Sequence, residues 1–223
     1  MRRIKDNPPY HPNLKPTYQF DPVTAVAHLR RADPIMAQLI KRVGPFALEL
    51  LPARTLFEAL LRSIVHQQLH SKAAATIHGR VLAVLHSHGG VTSAALAAAT
   101  DAELRCAGLS RAKLAALRDL AAKCMDGTVP SLRAAARLSG DVLADRLTQV
   151  RGIGPWTVHM LLIFTLGRPD VMPTGDFAIR LAFGRLYRKR GTPPPAAILG
   201  HARAWQPYRS VASWYLWRSL DKD

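Results

Sequence analysis

Cysteine is scarce in this chain: there are two in 223 residues, Cys106 and Cys124, far apart and with no CxxC pair. Thiolate-built zinc sites and iron–sulfur clusters need closely spaced cysteines, so both are excluded. The two are expected to be buried thiols of a reducing compartment rather than a disulfide. Acidic side chains are also few, 15 against 31 Lys and Arg, which leaves +16 at pH 7. No apolar run approaches the ~20 residues of a membrane span, so no membrane partner is expected. No run alternates apolar and polar residues for long enough to demand a sheet. The start, Met1-Arg2-Arg3-Ile4-Lys5-Asp6, is charged. It suggests no signal peptide, and the expected address is cytoplasmic, at the nucleoid.

Hydrophobic residues make up 48% of the chain, too many for a disordered polypeptide. The positive field favours a polyanion, either nucleic acid or an anionic surface, unless arginine is simply common here. Pro8, Pro9, Pro12 and Pro16 predict an extended arm over residues 1–20. From Asp21 the period is helical. Asp21-Pro22 and Asp33-Pro34 each read as an N-cap followed by Pro at the first helical position. Leu56, Leu60, Ile64 and Gln67-Gln68 share one helix from about Arg54. A second begins after His70, with Ser71 as cap, and runs to about His86. Further helices are expected to end at Gly108, to span 111–125 behind Ser110, and to open at Ser139-Gly140-Asp141. Others should cover 154–166, about 176–188, 195–204 and 209–220. The fold class is all-α, with roughly ten helices.

The segment Leu147–Thr157 carries most information. A helix ends, Gly152-Ile153-Gly154 turns, and Pro155 starts the next helix. Unpaired first-turn amides and the dipole's positive end can hold a phosphate there. An ordinary αα-hairpin, with glycines that only cap and turn, reads the same way.

The residues beyond the hairpin decide between these two possibilities. The stretch Leu147–Asp176 resembles the helix-hairpin-helix and Gly/Pro-rich loop of the helix-hairpin-helix superfamily of base-excision DNA glycosylases. Val171-Met172-Pro173-Thr174-Gly175-Asp176-Phe177 matches the loop that ends in that family's catalytic Asp. Ile64–Ala74 and Trp205–Ser210, with Trp214 and Trp217, are similar to its 3-methyladenine DNA glycosylase II branch. The resemblance implies two helical lobes with a DNA cleft between them. A central lobe would cover about 54–165, with the hairpin at 147–157, and a second lobe 21–53 plus about 166–223. The larger members of the branch carry an N-terminal β domain, and with only about twenty residues before the first helix this chain departs from them and is expected to be a compact form.

The implied activity is monofunctional excision of alkylated bases from double-stranded DNA by a monomer. Asp176 would be the catalytic carboxylate, stabilising oxocarbenium character on the sugar; an Asp there can equally be a helix N-cap. Bifunctional relatives carry a lysine where this chain has Trp156, so no amine is available for a Schiff base. Trp156 and Trp217 would form an aromatic base pocket, with Met160 where the family often has an aromatic; Trp214 reads as core. Flipping the base opens a gap that Gln68 or Leu69 would fill. Gln67, Ser71, Lys72, Arg111, Lys113, Gly152, Ile153, Gly154 and Thr157 would face the DNA backbone, although Arg111 and Lys113 fit a solvated face equally well. Lys41-Arg42, Arg180, Arg185, Arg188-Lys189-Arg190 and Arg209 add positive positions. The carbonyls of Thr148, Val150 and Ile153 would bind a structural Na+ or K+, and catalysis would need no cofactor. His66, His70, His78, His86 and His88 lack a carboxylate partner pattern and read as solvated or partly buried side chains. Two other readings remain: a non-catalytic hairpin module that binds DNA, and a bifunctional oxidative-damage glycosylase.

Overall fold

A computed structural model describes residues 17–221. Most of the arm expected over 1–20 lies outside them. Its last residues are docked: the Gln19 amide donates to Gly167 O at 3.0 Å, and Nε2 of Gln19 to Leu166 O at 2.9 Å. The Tyr18 hydroxyl donates to Leu48 O, and the rings of Tyr18 and Phe20 pack on Phe46.

Among the described residues there are thirteen α-helices, one 3-10 turn and no strand. They are α1 Pro22–Ala32, α2 Pro34–Val43, α3 Leu56–His66, α4 Ser71–Ser87, α5 Ser93–Ala98, α6 Asp101–Cys106 and α7 Arg111–Met125. There follow α8 Leu132–Arg137, α9 Gly140–Leu147, α10 Pro155–Phe164, α11 Phe177–Leu186, α12 Pro195–His201, the 3-10 turn Ala202–Trp205 and α13 Arg209–Arg218. The all-α expectation holds. Side-chain caps set most starts. Asp21, Asp33, Thr55, Ser110, Ser139 and Asp176 each accept a first-turn amide, and Thr100 forms a reciprocal capping box with Glu103.

Two details differ from the sequence expectation. Gln67 and Gln68 are not part of α3, which stops at His66. Ser71 is the first residue of α4 rather than its cap; His70 stands at that position and makes no side-chain cap bond. The helices sort by contact. One group is α1, α2, α11, α12, the 3-10 turn and α13; the other is α3 to α7 with α10, and α9 packs on α10. One continuous hydrophobic core runs through both.

Asp33 ties the first group together. It is 6% exposed and caps α2 through the amides of Ile35 and Met36. The Tyr187 hydroxyl (2.6 Å), His201 Nε2 (2.9 Å) and Trp205 Nε1 (3.0 Å) all reach its Oδ2. Burial opposes its ionisation, but these bonds and the Met36 amide outweigh it and hold the carboxyl at about 2.

Candidate active site

The hairpin joins α9 to α10. Thr148 N–H closes onto Ala144 O at 3.0 Å, and the Ile153 amide turns back to Val150 O at 3.0 Å. Gly152 sits at φ +80°, the left-handed region that side-chain-bearing residues avoid. The Arg151 amide donates to Asp119 Oδ2 at 2.7 Å, which fastens the turn to α7. Gly154 is the N-cap of α10 and supplies no side-chain cap bond. Ile153 and the Thr157 side chain are buried, so neither side chain is presented to an anion at this end, which offers backbone amides beside the exposed Arg151. Among the described residues no amide is bonded to the carbonyls of Thr148 or Ile153, and that of Val150 accepts the Ile153 amide.

Across from the hairpin, the loop before α11 turns through Pro173, whose carbonyl accepts the Asp176 amide at 2.9 Å. Asp176 is half-buried and caps α11: its Oδ1 accepts the Ile179 amide at 2.9 Å. The same carboxylate receives both tryptophans expected beside it. Trp156 Nε1 donates to Oδ2 at 2.7 Å, and Trp217 Nε1 to Oδ1 at 3.3 Å. Trp156 is on the first turn of α10 and 49% exposed, while Trp217 is half-buried near the end of α13. Trp214 is buried at 8% exposure and meets Phe46 edge-on, so it is core, as expected.

Met160, half-buried, lies one turn beyond Trp156. Phe164, one turn further, was not singled out by the sequence; its ring lies 5.6 Å from that of Trp217 at 31°. Its signal was positional, because Trp156, Met160 and Phe164 recur every four residues on one stripe of α10. A cavity of about 560 Å³ lies against a different face of α10, beside His159, Leu162, Arg168 and Asp170. Neither Asp176 nor the two tryptophans line it.

The remaining site candidates divide. Gln68 and Leu69 are exposed, and Gln68 holds φ +54°. Gln67 donates from Nε2 to Gly152 O at 2.9 Å. Ser71, Lys72 and Arg111 are exposed at helix starts. The Lys113 ammonium donates to Val65 O at 2.7 Å, and burial lowers its pKa. Two positions of the expected basic field are engaged internally: Arg209 grips Asp170 with Nε and Nη2 (2.6 and 2.9 Å), and Arg180 holds the carbonyls of Pro193 and Thr192. Cys106 is exposed rather than buried; the Cys124 thiol is half-buried and pushed up to about 11 by burial. The rings of His66 and His78 meet edge-on with centroids 5.5 Å apart, and burial lowers the pKa of both. A half-exposed carboxylate between two indoles, near a helix start open to phosphate, can stabilise a developing cation on a sugar held there.

Comparison with known proteins agrees with this geometry. Residues 61–207 match the family described as HhH-GPD superfamily base excision DNA repair protein. DNA-3-methyladenine glycosylase 1 of Schizosaccharomyces pombe is 36% identical over 200 residues, 87% of this chain and 86% of that protein. The structure of the 3-methyladenine DNA glycosylase Mag1 from the same yeast, in complex with abasic DNA, superposes with a TM-score of 0.75 at 35% identity. It covers 89% of this chain and 100% of the other. A DNA-3-methyladenine glycosidase from Bacillus halodurans gives a TM-score of 0.77 at 31% identity, covering 89% of this chain and 88% of its own.

Proposed function

The chain belongs to the HhH-GPD superfamily of base excision DNA repair proteins, and from that premise we propose that it excises alkylated bases, of the 3-methyladenine type, from double-stranded DNA. The reaction is hydrolysis of the N-glycosidic bond. The observation that carries the reading is the Asp176 carboxylate with an indole N–H on each oxygen.

Loss of an alkylated base leaves positive charge on the sugar, and an anion beside C1′ stabilises it and can orient the attacking water. An alkylated purine is already cationic and leaves readily, so one carboxylate suffices. The faces of Trp156, Trp217 and Phe164, with Met160, suit an electron-poor base; cation–π attraction contributes about 0.5–2 kcal/mol when desolvated. Position 156 offers no amine, so strand cleavage through an imine has no nucleophile there. Gln68 or Leu69 fills the gap left by the flipped base. The amides of Gly154 and of the first turn of α10, together with Ser71, Lys72 and Arg111, hold phosphates, the Ile153 amide being engaged by Val150 O, while Lys113 braces the end of α3. The carbonyls of Thr148, Val150 and Ile153 bind a Na+ or K+ that orients the hairpin and takes no part in the chemistry. The enzyme works as a monomer at the nucleoid; among the described residues no helix is long and apolar enough to cross a membrane.

The test is product analysis on methylated duplex DNA. Free methylpurines should appear, with strands that break only after alkali. DNA binding with no base released would leave only a hairpin module, and breaks without alkali would indicate a lyase.

A further inference from the structure

We infer that Gln67 is a positioning residue that couples the intercalating loop to the hairpin, so that phosphate capture and wedge insertion occur as one movement. The inference rests on the glycosylase reading above. Gln67 leads the chain out of α3 at φ −55° and ψ 134°, and its Nε2 donates to Gly152 O at 2.9 Å across 85 residues of sequence. The acceptor belongs to the turn that holds a phosphate, and the donor immediately precedes Gln68 and Leu69.

The loop needs such a brace. Gln68 holds φ +54°. For a residue with a Cβ that conformation costs roughly 1–2 kcal/mol and persists only where neighbours over-determine it. Lys113 Nζ holds Val65 O at 2.7 Å in the last turn of α3, and Gln67 holds the hairpin from the loop itself. Leu69 is left 38% exposed. On the other side, Gly152 C=O and Ile153 N–H belong to one planar peptide, so a donor on the oxygen orients the whole plane. That peptide is already fixed from within by Val150 O, and its neighbour Arg151 by Asp119. Gln67 is the contact that joins the turn to the wedge. Without it the loop would have to be ordered at the moment of insertion, which slows the flipped state more than it weakens initial docking.

Gln67→Met keeps the length of the side chain and removes the donor. Single-turnover methylpurine release from methylated duplex should fall about tenfold, equivalent to about 1.4 kcal/mol, with affinity for undamaged duplex within about twofold and melting unchanged. In an Asp119→Ala background, where the hairpin is already loosened, the same substitution should slow release by less than about twofold. An unchanged rate in Gln67→Met overturns the inference. So does a loss matched by equal losses of affinity and melting temperature, which marks a purely structural side chain, or the full tenfold loss in both backgrounds. A wild type that releases no base removes the glycosylase reading and the inference with it; an active wild type beside an unaffected Gln67→Met removes the inference alone.

Discussion

Each oxygen of the Asp176 carboxylate accepts an indole N–H, and Oδ1 also accepts the Ile179 amide. The three donors aim the group as well as stabilise its charge, and the shortest bond is that of Trp156 at 2.7 Å. Trp156→Phe keeps an aromatic face and removes only this donor. Single-turnover excision should fall about tenfold, the value of one charge-assisted hydrogen bond, while duplex affinity changes little. An unchanged rate would show that the ring face alone matters. Asp176 and Trp156 were legible in the sequence because short motifs fix their positions relative to the hairpin glycines, whereas Trp217 was reached only through the family resemblance of the C-terminal segment. Phe164 was not, since its partner Trp217 lies on a different helix and no local pattern links them. Arg180 and Arg209 show the opposite error. A sequence displays their charge but not the carbonyls and carboxylate that occupy it.

At the level of elements, helix starts were easier to read than helix ends. Asp21, Asp33, Ser110 and Ser139 cap as expected because an N-cap is a local bond between neighbours in sequence. The end of α3 at His66 was missed, and the bond that draws Gln67 toward Gly152 is non-local. The helices α5 and α8, six residues each, are too short to display a period. The hairpin is the element proposed above to hold a phosphate, and Gly152 sits in it at φ +80°. A Cβ there would meet Ala116 Cβ at 3.5 Å, an ordinary contact, so the φ of +80° is the whole difficulty. Gly152→Ala should therefore lower unfolding stability by about 1–2 kcal/mol, read by urea titration. Duplex affinity should fall with it, because relaxing the strain tilts the amides away from the phosphate. Full affinity in this variant would argue against anchoring by the turn.

Over the whole molecule, the carboxylate predicted to govern acid stability, Asp33, is not the one proposed for catalysis, Asp176. Asp33 is held at about 2 by bonds from Tyr187, Met36, His201 and Trp205, all within or at the end of elements of one helix group, below the ~3.9 of an unfolded Asp. A depressed carboxyl contributes stability that is fully present above about pH 4 and disappears as pH falls toward 2, roughly 2–3 kcal/mol for a shift of this size. Urea midpoints of the wild type should drop across that window, and Asp33→Asn should flatten the drop while being less stable at neutral pH. An equal drop in both would assign the acid loss elsewhere. A net charge of +16 supplies a docking field that carries no base information, so affinity alone does not identify an enzyme. The most direct test is methylpurine release by wild type and Asp176→Asn, with duplex binding measured in parallel. A catalytic Asp176 predicts a rate loss of about a hundredfold or more, the scale of one transition-state electrostatic interaction, with binding retained. Equal release by the two proteins would contradict it.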